Sequence, residues 1–140
     1  MRAALWGAVM LLPIATAADD TVPARLDCLF KPYVGGQLVS GEIIAPETFV
    51  QTPVPISFAV TDTATGAATM TSTDQTVPAR LEILEPVLRF SYEFAGLSAG
   101  AVTISRTWEN GGYPAVRSDQ GWYDGVLSTG YSSGLCQAPD

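Results

Sequence analysis

The stretch Leu88-Arg89-Phe90-Ser91-Tyr92-Glu93-Phe94 alternates apolar and polar side chains without interruption. Successive side chains of an extended chain point to opposite sides, so its apolar residues share one face and its polar residues share the other. A helix would distribute both kinds around its axis. The stretch therefore predicts a β-strand that is buried on one face and exposed on the other.

The same two-residue period recurs along the chain, whereas a helical period of 3.6 residues does not. The clearest repetitions are residues 56–61, 80–83 and 102–105, and weaker ones are 25–30, 37–44, 67–72, 113–118 and 126–133. These segments predict an all-β protein of eight or nine strands.

Short polar turns separate most of these segments. Residues 62–66, 73–76, 95–100 and 109–112 are rich in Gly, Asp, Asn or Thr, and Asn110-Gly111 is a typical hairpin pair. Short turns join antiparallel neighbours, which predicts a small antiparallel meander. Such a meander closes most simply into a barrel, which removes the exposed edges. A two-sheet β-sandwich is the alternative.

The two cysteines, Cys28 and Cys136, lie near opposite ends of the chain. In an oxidising compartment they predict one disulfide bond. The bond would close a loop of about 110 residues and contribute about 4–5 kcal/mol in the chain-entropy model. It also requires the first and last strands to be neighbours.

The first residues have the features of a cleavable signal peptide. Arg2 precedes an apolar run, and Ala15-Thr16-Ala17 provides the small residues that a signal peptidase accepts. We therefore expect a signal peptide at 1–18, a disordered lead-in at 19–24 and a single β domain at 25–140. The expected location is the periplasm or the extracellular space, without a membrane anchor.

The charge balance restricts the possible partners. The chain carries 14 acidic and 7 basic residues, and removal of Arg2 with the leader changes its net charge from −7 to −8. Such a charge repels nucleic acid and anionic lipid. The chain has no histidine, which excludes Ser–His and Cys–His catalysis. No motif indicates a cofactor or a metal.

Aromatic residues concentrate in the last third of the chain, next to glycines. Trp122 and Tyr123 lie in a predicted loop at 119–125 that also contains Asp119 and Asp124. Aromatic rings beside carboxylates suit the recognition of a ligand or a protein surface. We take this loop as the candidate binding surface.

Two arginines share faces with apolar residues. By alternation, Arg106 lies on the same face as Val102 and Ile104, and Arg117 lies on the same face as Tyr113 and Ala115. Such an arginine lies at the end of a strand or pairs with an acid. If both arginines point into a barrel mouth, they would form an anion-attracting site, and we include them among the candidate binding residues.

The chain resembles small, uncharacterised exported β-rich proteins of Gram-negative bacteria. The shared features are Cys28 in the first strand, the hairpin turn at 62–66, and the ending Tyr131-Ser132-Ser133-Gly134-Leu135-Cys136. This resemblance implies a β-meander and a periplasmic address, and it implies no activity.

The chain is also similar, more distantly, to periplasmic lysozyme inhibitors in its size, its small barrel and its disulfide near the termini. In that family a Ser-Gly-x-x-Tyr loop inhibits the enzyme. Here Ser133-Gly134 is followed by Leu135-Cys136-Gln137 without a tyrosine, so no inhibitory residue is carried over.

Together these features predict an exported, non-catalytic protein that binds an unknown protein or small ligand. Inhibition of a secreted or periplasmic hydrolase such as lysozyme is the alternative. A carboxylate-based hydrolase comes third: 14 acids make some pair of carboxylates inevitable, so the presence of such a pair carries no weight.

Overall fold

The computed structural model describes residues 21–32, 34–39, 42–48, 53–73, 75–96, 98–123 and 126–139, so the predicted signal peptide at 1–18 lies outside it. The described residues form antiparallel strands, and none of them forms a helix that could cross a membrane. The strands are β1 (Arg25–Phe30), β2 (Val34–Val39), β3 (Glu42–Thr48), β4 (Val54–Asp62), β5 (Ala67–Thr71), β6 (Thr76–Leu84), β7 (Val87–Phe94), β8 (Ser98–Ser105), β9 (Tyr113–Tyr123) and β10 (Val126–Gln137).

Eight of these strands close into a barrel in the order β1-β4-β5-β6-β7-β8-β9-β10, with β10 paired back to β1. The end of β10 pairs with β1, and its beginning pairs with β2. β1 and β2 thus act as one interrupted strand, which gives nine strands, with β3 as the one outside the barrel. The predicted closed barrel is confirmed, and the sandwich alternative is wrong.

The alternation that predicts the strands also fills the barrel. On β7, Leu88, Phe90 and Tyr92 are buried, whereas Arg89 and Glu93 are exposed. Other buried core residues are Leu26, Cys28, Phe30, Ile56, Phe58, Ala68, Met70, Leu81, Val102, Ile104, Ala115 and Cys136. The interior of an eight-stranded barrel is just wide enough for side chains to fill it.

The predicted disulfide is confirmed and joins the first strand to the last. Cys28 lies directly opposite Cys136 in the β1–β10 register, and both residues are buried. The bond therefore fastens the pair of strands that closes the barrel. Its presence is compatible with an oxidising compartment outside the cytoplasm.

One prediction about the first third of the chain is wrong. The single strand predicted at 37–44 is the end of β2 followed by the start of β3, which pair with each other through Val39 and Glu42. The disordered lead-in at 19–24 stays a prediction. Of its described residues, Val22 packs against the core, and the Ala24 carbonyl accepts a 2.8 Å hydrogen bond from the Val60 N–H.

Candidate functional site

The predicted binding loop at 119–125 is for the most part a strand. Asp119 to Tyr123 are the last residues of β9, and Tyr123 pairs with Val126 at the start of β10. Asp124 and the side chain of Tyr123 lie outside the described residues. Since neighbouring side chains on a strand point to opposite sides, Asp119 and Trp122 cannot face one surface together.

Trp122 lies on the outer surface of the barrel. Its side chain is 57% exposed, and it stands in register with Leu127 of β10, which in turn stands in register with Leu38 of β2. Both leucines are also more than two-fifths exposed. These three neighbours form an exposed apolar row across three strands, which we call the Trp122 row.

The Trp122 row belongs to a larger surface without charge. All outward-facing residues of β9 and β10 are described, and none of them is acidic or basic. They are Pro114, Val116, Ser118, Gln120 and Trp122 on β9, and Leu127, Thr129, Tyr131, Ser133, Leu135 and Gln137 on β10. We call this surface, together with Leu38, the uncharged face. Monomeric proteins rarely expose extended apolar patches, and the Trp122 row makes this face the candidate functional surface.

A small pocket adjoins the Trp122 row. It has a volume of about 250 Å³ and is lined mainly by Gly36, Leu38, Gln120, Leu127 and Thr129. Residue 36 is glycine, and therefore no side chain from β2 fills this space. Its lining combines the apolar side chains of Leu38 and Leu127 with uncharged polar residues.

Asp119 points into the barrel instead. Its carboxylate accepts a 2.9 Å hydrogen bond from the Tyr92 hydroxyl and lies 2.5 Å from Nε of Arg117. All three side chains are buried or nearly so. Gly100 provides the space for this contact, because a Cβ there would collide with Asp119 and with the Tyr92 ring.

Burial and the neighbouring charges shift the proton affinities of this cluster. Burial, together with the Asp119 carboxylate, raises the pKa of the Tyr92 hydroxyl far above its usual value. For Arg117, burial lowers the pKa, but Tyr92 and Asp119 outweigh it and the net pKa is raised. The tyrosine therefore stays neutral, and the arginine charge balances the carboxylate. The cluster is part of the interior, and its carboxylate does not reach the outer surface.

Arg106 and Arg117 do not form the predicted anion site. Arg117 lies opposite Val102 of β8. Arg106 follows Val102 by four residues, which corresponds to about 13 Å along an extended strand. Arg106 pairs with Glu85 at the turn between β6 and β7. Each arginine thus has its own carboxylate partner, and the two are held at different levels of the barrel.

Trp108 lies at the other end of the barrel, in the connection between β8 and β9. It is 55% exposed, and its ring contacts the ring of Tyr113 edge-on, with 5.1 Å between the centroids. Trp108 is therefore an exposed tryptophan remote from the Trp122 row. Within the described residues, no three Asp, Glu or Cys side chains are grouped so that they could hold a metal ion.

The sequence interpretation found Trp122 but missed its partners. Leu127 could have been found, because alternation places it on the same face as Thr129 and Tyr131. Leu38 could not, because its contact depends on the pairing of β2 with β10. Comparison with known proteins gives no assignment: no protein-family model, no curated protein and no solved structure matches the chain.

Proposed function

We propose that the chain is an exported, non-catalytic interaction protein of the periplasm or the extracellular space, and that it docks a partner protein on the uncharged face. The observation that carries the proposal is the Trp122 row with its adjoining pocket. Around it lies a surface free of charge, in a chain that has twice as many acidic as basic residues.

The composition of this face fits a protein partner. The centres of protein–protein interfaces are depleted of charged residues and enriched in aromatic ones, and tryptophan is prominent among the residues that dominate binding. A pocket of about 250 Å³ is smaller than the usual pocket for a drug-sized ligand. It has the size to take a single apolar side chain from a partner, with Trp122 packing beside it.

Site-specific photocrosslinking tests the proposal. A photoreactive phenylalanine analogue is introduced at Trp122, and in a separate variant at Trp108, and the chain is exported by its native host. Because the proposed face surrounds only Trp122, we expect a discrete covalent adduct at position 122 and none at position 108. Mass spectrometry of the adduct then identifies the partner.

A second substitution checks that the adduct depends on the face. Leu127→Asp places a charge in the middle of the Trp122 row and is expected to remove the adduct at position 122. Equal adducts at positions 122 and 108, or an adduct that persists with Leu127→Asp, would contradict the proposal.

The exposure of Trp122 allows its contribution to binding to be separated from folding. Because the side chain is more than half exposed, Trp122→Ala should change the free energy of unfolding by less than about 1 kcal/mol. Chemical denaturation measures this change. A loss of several kcal/mol would assign Trp122 to the stability of the barrel and would remove it from the proposed interface.

Inhibition of a basic hydrolase is the second candidate, and the net charge favours it. A net charge of −8 after loss of the leader would attract a basic lysozyme over long range. We expect stoichiometric loss of lysozyme activity that weakens steeply as salt is added, because exposed charges are screened. Full lysozyme activity at low salt in the presence of excess protein would exclude this candidate.

A further inference from the structure

A second concave surface lies next to the uncharged face, on the outside of β6 to β9. Its volume is about 790 Å³. Arg80, Ser91, Ala101 and Ser118 line it and are successive cross-strand partners, so they form one row across the four strands. Because the middle residues are small, the surface is a trough with an arginine at one end.

The row of residues that lines the trough continues onto the uncharged face. Ser118 pairs with Tyr131 of β10, which is 61% exposed, and Thr129 of the small pocket lies two residues from Tyr131 on the same strand. Arg80 and Thr129 are therefore separated by four strand spacings of roughly 4.8 Å across the sheet and by about 7 Å along it, about 20 Å in all. Gln120 lines both the trough and the small pocket beside the Trp122 row. The two concave surfaces are therefore contiguous.

The arginine end of the trough has two cations that are not paired within the described residues. Arg80 lies opposite Ser91, and Arg89 lies opposite Glu82, so the two arginines are diagonal neighbours on the outer surface. In the described part of the chain neither arginine makes an ion pair, although Glu82 and the exposed Glu93 lie nearby. Arg25, Arg106 and Arg117, by contrast, each contact a carboxylate.

Arg80 and Arg89 line the trough together with Glu93, so two cations and one anion give its lining a net charge of +1, which suits a ligand with one carboxylate. Arginine presents its N–H donors in a planar fork that binds carboxylates through two parallel hydrogen bonds. The net negative charge of the whole chain repels a strongly acidic ligand. The trough therefore favours a ligand that carries a single carboxylate on an otherwise uncharged, extended backbone.

We infer that the trough binds an extended peptide segment of the partner, with a carboxylate on Arg80 and Arg89 and an apolar side chain in the pocket of the Trp122 row. This inference rests on the proposed function and specifies its partner. The distance of about 20 Å from Arg80 to the pocket corresponds to about six residues of extended peptide. The segment thus carries an Asp, a Glu or its own C-terminus about six residues from an apolar anchor.

Selection from a phage-displayed library of random linear peptides tests the inference. The full chain is exported into the periplasm of a bacterial host, purified and used as bait. We expect the selected peptides to contain an acidic residue about six positions from an apolar one. Synthetic copies should bind at least about tenfold more weakly to the double variant Arg80→Gln and Arg89→Gln, because charge-assisted hydrogen bonds are lost.

Arg25→Gln is the matched control, since Arg25 is also an exposed strand arginine but already contacts Asp27. The variant Arg25→Gln should bind the peptides as tightly as the wild type does. On the double variant, replacing the acid of a peptide by its amide should cause no further loss of affinity. Leu127→Asp separates the two proposals. Peptides that need Leu127 but show no preference for an acid overturn the trough inference and leave the proposed function intact.

Dependence on the two arginines without dependence on Leu127 would be the opposite result. Peptides that need Arg80 and Arg89 but ignore Leu127→Asp retain the carboxylate site, but they contradict both docking on the Trp122 row and the apolar anchor of the inferred peptide. If no peptide is enriched, and polygalacturonate binds through the same two arginines instead, the peptide inference is overturned in favour of an acidic glycan. Equal peptide binding by the wild type and the double variant overturns it as well.

Discussion

Gly100 and Asp119 illustrate how a single residue determines the interior of this barrel. A Cβ at position 100 would overlap the Asp119 carboxylate and the Tyr92 ring. Gly100→Ala must therefore displace the Tyr92–Asp119 hydrogen bond, and we expect it to lower the free energy of unfolding by about 1–3 kcal/mol. Chemical denaturation measures the loss. Ala99→Ser, at the exposed neighbouring position, is the control and should change stability by less than about 0.5 kcal/mol.

The Tyr92 hydroxyl predicts a stability change at alkaline pH. Its pKa is raised in the folded protein, mainly by burial and then by Asp119, whereas an unfolded tyrosine ionises near about pH 10. Below that pH both states hold the proton. Above it only the unfolded state releases the proton, so the stability that Tyr92 contributes is lost as the pH rises.

Tyr92→Phe isolates this effect. At neutral pH the variant should be less stable by about 1–3 kcal/mol, because the buried Asp119 loses a hydrogen-bond donor. The difference between the two proteins should narrow as the pH rises above about 10. Urea denaturation at a series of pH values measures it. A difference that stays constant to high pH would show that Tyr92 ionises as easily in the barrel as in the unfolded chain.

At the scale of the strands, the contact between β1 and β10 depends on Gly134. A Cβ there would meet the Leu29 backbone carbonyl and would come within 2.8 Å of the Phe30 ring. A backbone carbonyl held in a strand pair cannot rotate away, so Gly134→Ala should separate the closing strands locally and cost about 2–3 kcal/mol.

Thermal and chemical unfolding of Gly134→Ala measure this loss. Ser133→Ala is the control, because Ser133 is exposed on the same strand. The loss should be local to the β1–β10 pair, so hydrogen exchange should increase there more than in β6 and β7. Stability equal to that of the control would mean that the pair can open at position 134 without cost.

The strands were predicted from the sequence wherever one face is buried. β7, β4 and β8 show clear alternation because their inward residues are large and apolar. The strand predicted at 113–118 is shorter than β9, because the inward residues that follow, Asp119 and Gly121, are polar or small. Asp119 belongs to the interior through the Tyr92 hydroxyl and the space at Gly100, which lie on other strands. Alternation along a single strand cannot reveal such a contact.

The sequence predicts one strand at 37–44, where the structure has the end of β2 and the start of β3, for a different reason. The predicted strand at 37–44 contains Ser40-Gly41, and such a pair is itself a turn signal. The apolar residues on either side concealed it. The pairing of β2 with β10 brings Leu38 into the Trp122 row, so this partner of Trp122, unlike Leu127, does not follow from alternation along the chain.

At the scale of the whole molecule, the disulfide stabilises the closed barrel. Cys28 and Cys136 are 108 residues apart in sequence, so the bond restricts nearly the whole unfolded chain. In the chain-entropy model its removal costs about 4–5 kcal/mol. Guanidinium unfolding of the double variant Cys28→Ala and Cys136→Ala should show a loss of at least this size, since two buried side chains are also shortened.

The oxidised wild type, unfolded in the same buffer, is the reference for that measurement. A wild type unfolded in the presence of a reductant should approach the double variant. An unchanged unfolding midpoint after complete reduction would show that hydrogen bonding between β1 and β10 closes the barrel without the help of the sulfur atoms.

The pairing of Asp27 with Gln137 has a practical consequence for how the molecule can be attached to something else. The beginning of β1 and the end of β10 emerge side by side at one pole, whereas Trp122 lies nine residues up β9 from Tyr113, about 30 Å away. A tether joined after residue 139 would anchor the molecule by that pole and leave the opposite pole pointing outward, accessible to whatever approaches.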